Sequence, residues 1–289
     1  MLTVTSAAEM TAISREARRS GRRVGFVPTM GALHQGHLSL VRAAHARSDV
    51  TVVSIFVNPK QFGPNEDFEK YPRNLEADAA MLAAEKMDYL FCPPVEEMYP
   101  DGACTWVEVE GISDRLDGRS RSGHFRGVTT VVAKLFNIVQ PELAFFGQKD
   151  AAQAAIIRRM TADLNFDVEI VVCPIVREAD GLAMSSRNVY LDPVQRKQAT
   201  VLYRALMRMQ LLADRGETDS ARLAAGGREV MAEEPAVRLD YLEVVDPNTL
   251  EPVSTTQRGA LVAVAAYVGV TRLIDNLVIP GKGIAGSRR

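Results

Sequence analysis

Short apolar runs alternate with amphipathic stretches through the first 175 residues. Residues 24–28 are continuously apolar and read as a strand. Residues 36–47 carry Leu38, Val41 and Ala44 or His45 at helical spacing, which predicts a helix with one buried face. Residues 50–57 (V-T-V-V-S-I-F-V) are β-branched and almost wholly apolar, the mark of a strand buried on both faces. Asn58-Pro59 ends it. Residues 76–86 read as a helix rich in Ala, Leu and Met, and 89–92 as a short strand stopped by Pro93-Pro94. Residues 128–139 form an apolar helix or a long buried segment that ends at Pro141. A strand at 143–146, a helix at 150–160 with Asp150 as N-cap, and a strand at 168–172 complete the series. This rhythm predicts an α/β fold, a parallel sheet with helices on both faces. Open sheets of that kind bind ligands beyond the carboxyl ends of their strands.

The pattern changes after about residue 180. Residues 192–213 read as one long helix and 219–232 as a second. Three strand-like runs follow at 239–245, 261–268 and 271–278, punctuated by Pro247, Gly259 and Gly269. Helices followed by consecutive strands predict a smaller α+β domain with an antiparallel sheet. The expected division is 1–178 and 179–289, with a short basic tail at 281–289 that reads as frayed.

Composition narrows the function class. With 47% hydrophobic and 24% charged residues, the 289-residue chain has ample material for a core. A net charge of −2 argues against a general nucleic-acid binder. Three scattered cysteines, with no C-x-x-C pair, fit a reducing compartment. Residues 1–19 lack the apolar stretch of a signal peptide, and no run is long enough to span a membrane. The expectation is a cytoplasmic protein.

Candidate chemistry lies where predicted strands end. The run Val27-Pro28-Thr29-Met30-Gly31-Ala32-Leu33-His34-Gln35-Gly36-His37 joins a strand to a helix through a glycine-bearing turn. A helix N-terminus offers backbone N–H groups and a positive dipole end to an anion. His34 and His37 share one face of its first turn, where their imidazoles can donate hydrogen bonds to a triphosphate. Metal binding and a purely structural role are the competing readings of this pair. No third ligand stands nearby, since the only other histidines are His45 and His124. Gly147-Gln148-Lys149-Asp150 follows another strand, with Lys149 suited to a phosphate and Gln153 one turn on. Met184-Ser185-Ser186-Arg187 supplies two hydroxyls and a guanidinium that can fold over a triphosphate; a polar linker is the plainer reading. Asn58 and Gln61 are neutral groups suited to hydroxyls and a carboxylate. Residues 115–126, with Arg115, Arg119, Arg121, His124 and Arg126, read either as a flap over an anionic substrate or as a solvated loop. Trp106 reads as core or wall.

Five runs, P-T-M-G-A-L-H-Q-G-H, F-V-N-P-K-Q-F-G, G-H-F-R-G-V, F-F-G-Q-K-D and M-S-S-R-N, stand in an order and spacing that resemble the pantothenate synthetase (pantoate–β-alanine ligase) family. The resemblance runs from about residue 20 to residue 280. The first and last runs are also similar to the paired motifs of a wider nucleotidyl-transferase superfamily, with Arg187 where many members carry lysine. The resemblance implies a Rossmann-like nucleotide- and pantoate-binding domain, a small C-terminal lid domain, and a homodimer. It implies attack of the pantoate carboxylate on the α-phosphate of Mg·ATP, then capture of the pantoyl adenylate by β-alanine, releasing AMP. His34 and His37 would neutralise charge on the phosphates, with His37 as proton donor, and Lys149, Ser185, Ser186 and Arg187 would bind the triphosphate. Met30, Gly31, Ala32, Leu33, Gln35, Gly36, Gly147, Gln148, Asp150, Val176 and Met184 would line the nucleotide. Gln61 and Gln153 would hold pantoate, with Gln61 also near β-alanine, and Asn58 and Arg121 would assist. Mg²⁺ would be held mostly by phosphates and water, with no ligand residue assigned and Asp78 as an outer carboxylate behind its water. The alternatives are another adenylyltransferase of the superfamily, a tRNA-charging enzyme, or a catalytically silent nucleotide-binding module.

Overall fold

The computed structural model describes residues 1–64 and 66–281; the predicted frayed tail therefore lies, beyond Gly281, outside the described residues. The chain divides into two units. The first comprises Met1–Asp114, Gly118–Gln148 and Ile156–Pro174, and the second Arg115–Asp117, Lys149–Ala155 and the chain from Ile175.

The first unit is built on six strands: β1 (Leu2–Val4), β2 (Val24–Thr29), β3 (Val50–Ile55), β4 (Tyr89–Phe91), β5 (Leu143–Gly147) and β6 (Glu169–Cys173). All pair in parallel, in the order β1-β4-β3-β2-β5-β6. The helices between these strands are α1 (Ala7–Arg19), α2 (Gln35–His45), α3 (Leu75–Ala84), α4 (Val95–Met98), α5 (Asp117–Ser120), α6 (His124–Val139) and α7 (Ala151–Asp163), of which α5 and α7 begin in residues of the second unit. The predicted strands and helices appear with ends shifted by a few residues. Sequence reading does not pick out β1 or α1, which begin the fold and add a sixth strand beside β4.

Successive strand residues point to opposite faces. Val27, Val53 and Phe145 enter one core with Leu38, Val41 and Ala44 of α2 and Leu82 of α3. Phe26, Val52 and Ala144 point the other way and are equally buried, on the side where α1 and α6 pack. Both faces are therefore covered, which is why these strands lack alternation. From β2 the chain steps outward one way through β3 and β4, then returns to β5 on the other side of β2. The carboxyl ends of β2 and β5 thus flank the topological switch point.

The second unit has an antiparallel sheet of β7 (Val237–Val245), β8 (Ala260–Val268) and β9 (Thr271–Ile279), with β8 central. Val262, Val264 and Ala266 of β8 share a core with Leu202, Leu206 and Met209. The expected single helix at 192–213 is two: α8 (Pro193–Gln198) and α9 (Val201–Asp214). The Thr200 hydroxyl donates to the Lys197 carbonyl at 2.7 Å, and Leu202 N–H bonds Ala199 O. Such a hydroxyl competes with the helical ladder and bends it. Asp192 caps α8 through a capping box with Gln195, and Asp219 caps α10 (Ser220–Met231).

Candidate active site

In the first unit the β2–α2 turn is held in an unusual backbone shape. Gly31 and Ala32 both have positive φ, +81° and +51°. A Cβ on Gly31 would lie 2.9 Å from Asp78 Oδ2 and 3.0 Å from Ile55 Cγ2, so glycine is required there by conformation and by space. Ala32 incurs a steric cost in this region. What holds it is Asp78, buried near the start of α3: its carboxylate accepts the N–H of Ala32 at 2.9 Å and of Leu33 at 2.8 Å. Sequence reading places Asp78 near the metal. The structure shows both its oxygens committed to the turn.

The two histidines close the start of α2 on themselves. His34 Nδ1 accepts the Gly36 N–H at 3.1 Å, and His37 Nδ1 accepts the His34 N–H at 3.3 Å, a capping box with the rings 4.1 Å apart. The expectation of free N–H groups here is corrected: those of His34 and Gly36 are taken by the imidazoles. A backbone N–H can only donate, so each Nδ1 is unprotonated and each Nε2 carries the proton. The pair presents two Nε2–H donors. Gln35 is exposed and accepts from Arg42. Met30, Leu33, Gly36, Gly147 and Gln148 are partly accessible.

The loop after β3 is built as tightly. Asn58 is 1% exposed. Its amide donates to Gln61 Oε1 at 3.1 Å and to Gly127 O at 3.0 Å, and its oxygen accepts from Lys60 N–H and from the Tyr99 hydroxyl at 2.9 Å. Those four bonds use the hydrogen-bonding capacity of the amide. Asn58 therefore stands behind Gln61 rather than offering itself to a ligand. Burial pushes the Tyr99 phenol up, keeping it a donor. Gln61 Nε2 reaches Met30 Sδ. Gly127 of α6 lets this turn approach: a Cβ there would be 2.1 Å from the Lys60 carbonyl oxygen.

Arg121 is likewise engaged within the protein. It pairs with Glu66 at 2.6 Å, reaches His124 Nε2 at 2.9 Å, and His124 Nδ1 donates to Gln61 O at 2.8 Å. Burial raises the Glu66 carboxyl, but the hydrogen bond and charge of Arg121 outweigh it and hold it below its ordinary range. Arg121 thus anchors the Gln61 loop. Of the other arginines at 115–126, Arg126 stacks on Trp106 at 4.5 Å, and Arg115 pairs with Glu251 within the second unit. Trp106 is 38% exposed, with Lys60 over its ring at 4.3 Å, so it is not core.

In the second unit, Lys149 follows directly from the end of β5. Its carbonyl accepts from Asn276 Nδ2 at 2.9 Å, and its Nζ lies 3.5 Å from Asp150 Oδ1. Asp150 sits inside a 3₁₀ turn, one residue before α7. Gln153 is partly accessible on α7. Val176 O accepts the Met184 N–H, and Glu178 N–H bonds Leu182 O, which closes a small hairpin. Arg177 fixes that hairpin through a two-pronged bond to Asp275 at 2.6 and 2.9 Å. Burial pushes the Asp275 carboxyl up, against the pull of Arg177. Ser185 caps the next 3₁₀ turn by accepting the Arg187 N–H at 3.2 Å, and Asn188 ties it back to Glu178 and Ala183. Ser186 and Arg187 stand half-exposed on that turn.

Sequence reading misses Tyr99, Glu66 and Asn276, and gives no role to Gly127 within the G-H-F-R-G-V run. Only Gly127 carries a local signal, a glycine inside an apolar helix.

The family model for pantoate-beta-alanine ligase matches residues 2–278 of this chain. A pantothenate synthetase from Koribacter versatilis is 62% identical over 289 residues, covering 100% of this chain and 99% of that protein. A pantoate-beta-alanine ligase (pantothenate synthetase) structure from Thermus thermophilus superposes with a TM-score of 0.92 at 51% identity, over 96% of this chain and 99% of that one. A pantoate-beta-alanine ligase from Francisella tularensis, complexed with beta-gamma ATP and beta-alanine, gives 0.79 at 34% identity over 96% and 97%.

Proposed function

The chain belongs to the pantoate–β-alanine ligase family, and from that premise we propose how its residues divide the chemistry. It is a ligase that uses ATP to join pantoate to β-alanine, forming pantothenate. The route we propose begins with adenylation. A carboxylate is a poor acyl donor, and its attack on the ATP α-phosphate gives pantoyl adenylate and pyrophosphate. The amine of β-alanine then attacks the acyl carbon and AMP leaves. Such chemistry needs positioning and charge neutralisation more than covalent help from the protein.

The observation that carries this reading is the paired capping of His34 and His37, which fixes both imidazoles at the start of α2 with the proton on Nε2. We assign them to the α-phosphate and the departing pyrophosphate, with His37 giving the proton. The backbone of residues 30–37 and 147–150 and of Val176 would surround the nucleotide. Lys149, Ser185, Ser186 and Arg187 would take the triphosphate. Gln61 and Gln153 would hold pantoate, with Asn58, Arg121 and Asp78 acting through what they position. Residues 1–178 would bind nucleotide and pantoate, and 179–289 would serve as the lid.

Among the described residues, no three His, Cys, Asp or Glu side chains group as metal ligands. Mg²⁺ would be brought by the nucleotide and held mostly by phosphate oxygens and water. A homodimer in the cytoplasm completes the proposal. The deciding experiment is ATP–pyrophosphate exchange with β-alanine withheld. Exchange that requires pantoate supports the adenylate route; exchange without pantoate, or none with both substrates present, rejects it.

A further inference from the structure

We propose that Asp275 and Asn276, neighbours on β9, are positioning residues for the triphosphate: together they fix Lys149 and the turn that bears Ser186 and Arg187 relative to one another. This rests on the assignment of those groups to the triphosphate above, and adds the device that sets their spacing.

Both groups stand on loops of the second unit. Lys149 lies in the 3₁₀ turn Gln148–Asp150 and Arg187 in the 3₁₀ turn Ser186–Tyr190, and neither turn is a strand of the antiparallel sheet. In β9 they have a rigid reference. Side chains alternate along a strand. Leu273, Leu277 and Ile279 face the core shared with α9 and α10, so Asp275 lies on their face and Asn276 on the other. Both are 3% exposed. Asn276 Nδ2 donates to Lys149 O at 2.9 Å. Asp275 receives Arg177 on both oxygens, at 2.6 and 2.9 Å, and the Tyr203 ring of α9 backs the guanidinium at 4.5 Å.

Arg177 carries the connection onward. It donates to Gly181 O at 3.0 Å and to Asn276 O, which ties β9 to the hairpin at 176–184. Glu178 and Ala183 of that hairpin accept the Asn188 amide at 3.1 and 3.2 Å, and Asn188 belongs to the turn of Ser186 and Arg187. A continuous run of contacts thus joins one loop to the other through Asn276, its neighbour Asp275, and Arg177. Burial pushes the Asp275 carboxyl up, opposed by Arg177, by the Asn276 N–H and by the charge of Lys149, so the carboxylate feels both cations. A buried ion pair is a weak source of stability, because desolvation offsets most of its attraction. A two-pronged pair admits few geometries, which is what a phosphate site needs from its supports.

Two double-mutant cycles on the full chain test this, read by pantoate-dependent ATP–pyrophosphate exchange with β-alanine withheld. Asn276→Ala removes the donor on Lys149 O and should slow exchange roughly tenfold, the rate equivalent of one neutral hydrogen bond. Added to Lys149→Ala it should slow exchange no further, because the group it positions is gone. Asp275→Asn keeps the shape and breaks the two-pronged pair; added to Arg187→Ala it should likewise add nothing. Two purely structural losses would instead multiply. Effects that multiply in either cycle, or an Asn276→Ala variant as fast as wild type, overturn the positioning role and leave the triphosphate assignment standing. Near-normal exchange in Lys149→Ala overturns that assignment and the positioning role with it. Should Asn276→Ala fail to fold, the Asp275 cycle decides; loss of the fold in both variants marks the pair as structural and overturns the proposal.

Discussion

The carboxylate of Asp78 receives the backbone N–H of Leu33 at 2.8 Å, and its second oxygen takes that of Ala32. One buried side chain thus holds the left-handed turn from which α2 and its two histidines start. Asp78→Asn keeps the shape but turns an amide NH₂ towards one of the two N–H donors. Loss of a charge-assisted bond at a buried site costs about 1–3 kcal/mol. The expected outcome is a lower melting temperature and a slower pantoate-dependent pyrophosphate exchange, expressed in kcat more than in the KM for ATP. Unchanged exchange in a destabilised variant would make the residue purely structural.

His37→Ala removes one Nε2–H donor and also frees the His34 N–H. Loss of a preorganised donor to a transferring phosphoryl group costs on the order of 10²–10³ in rate. Pyrophosphate exchange should fall by that order. Capture of chemically prepared pantoyl adenylate by β-alanine should change far less. A selective defect in capture would move His37 to the second step.

Lys149 offers a cleaner test, because its backbone anchor to Asn276 does not involve the side chain. Lys149→Ala should leave thermal unfolding unchanged and slow adenylation by on the order of 10² or more. Near-normal exchange would remove Lys149 from the triphosphate.

The strands of the sheet were legible because burial on both faces writes continuous apolar runs such as V-T-V-V-S-I-F-V. The histidine pair, Lys149 and the Ser-Ser-Arg run were legible because strand-end motifs are contiguous in sequence. Asn58 and Arg121 mark where sequence reading runs out, because polar residues beside a site look alike whether they touch the ligand or brace what does. Only the three-dimensional partners, Gln61, Gly127 and Tyr99 for the one and Glu66 and His124 for the other, separate the two roles. The break between α8 and α9 was hidden because a threonine in a helical pattern gives no sign of which carbonyl its hydroxyl will take.

Gly127→Ala tests the contact between α6 and the Gln61 turn. The added methyl would meet the Lys60 carbonyl oxygen, a backbone atom that cannot swing aside. Overpacking of this kind costs about 1–3 kcal/mol. Because the displaced backbone carries Gln61, the KM for pantoate should rise while the KM for ATP stays close to wild type. Equal changes in both would indicate a general loss of structure.

The Glu66–Arg121 pair predicts an acid limb of stability. Glu66 sits below its ordinary range in the folded protein, so it contributes stability above the unfolded carboxyl pKa of about 4.3. That contribution is lost as pH falls through the lower folded value. Glu85, Asp180 and Glu217 are held low as well, so a fall of the wild-type melting temperature in acid does not by itself isolate Glu66. Comparison with Glu66→Gln does. The variant should melt below wild type at pH 7, and the gap should narrow as pH drops below about 4. A gap that stays constant across the titration would show that the variant loses packing rather than the charge that anchors Arg121 and, through it, the Gln61 loop.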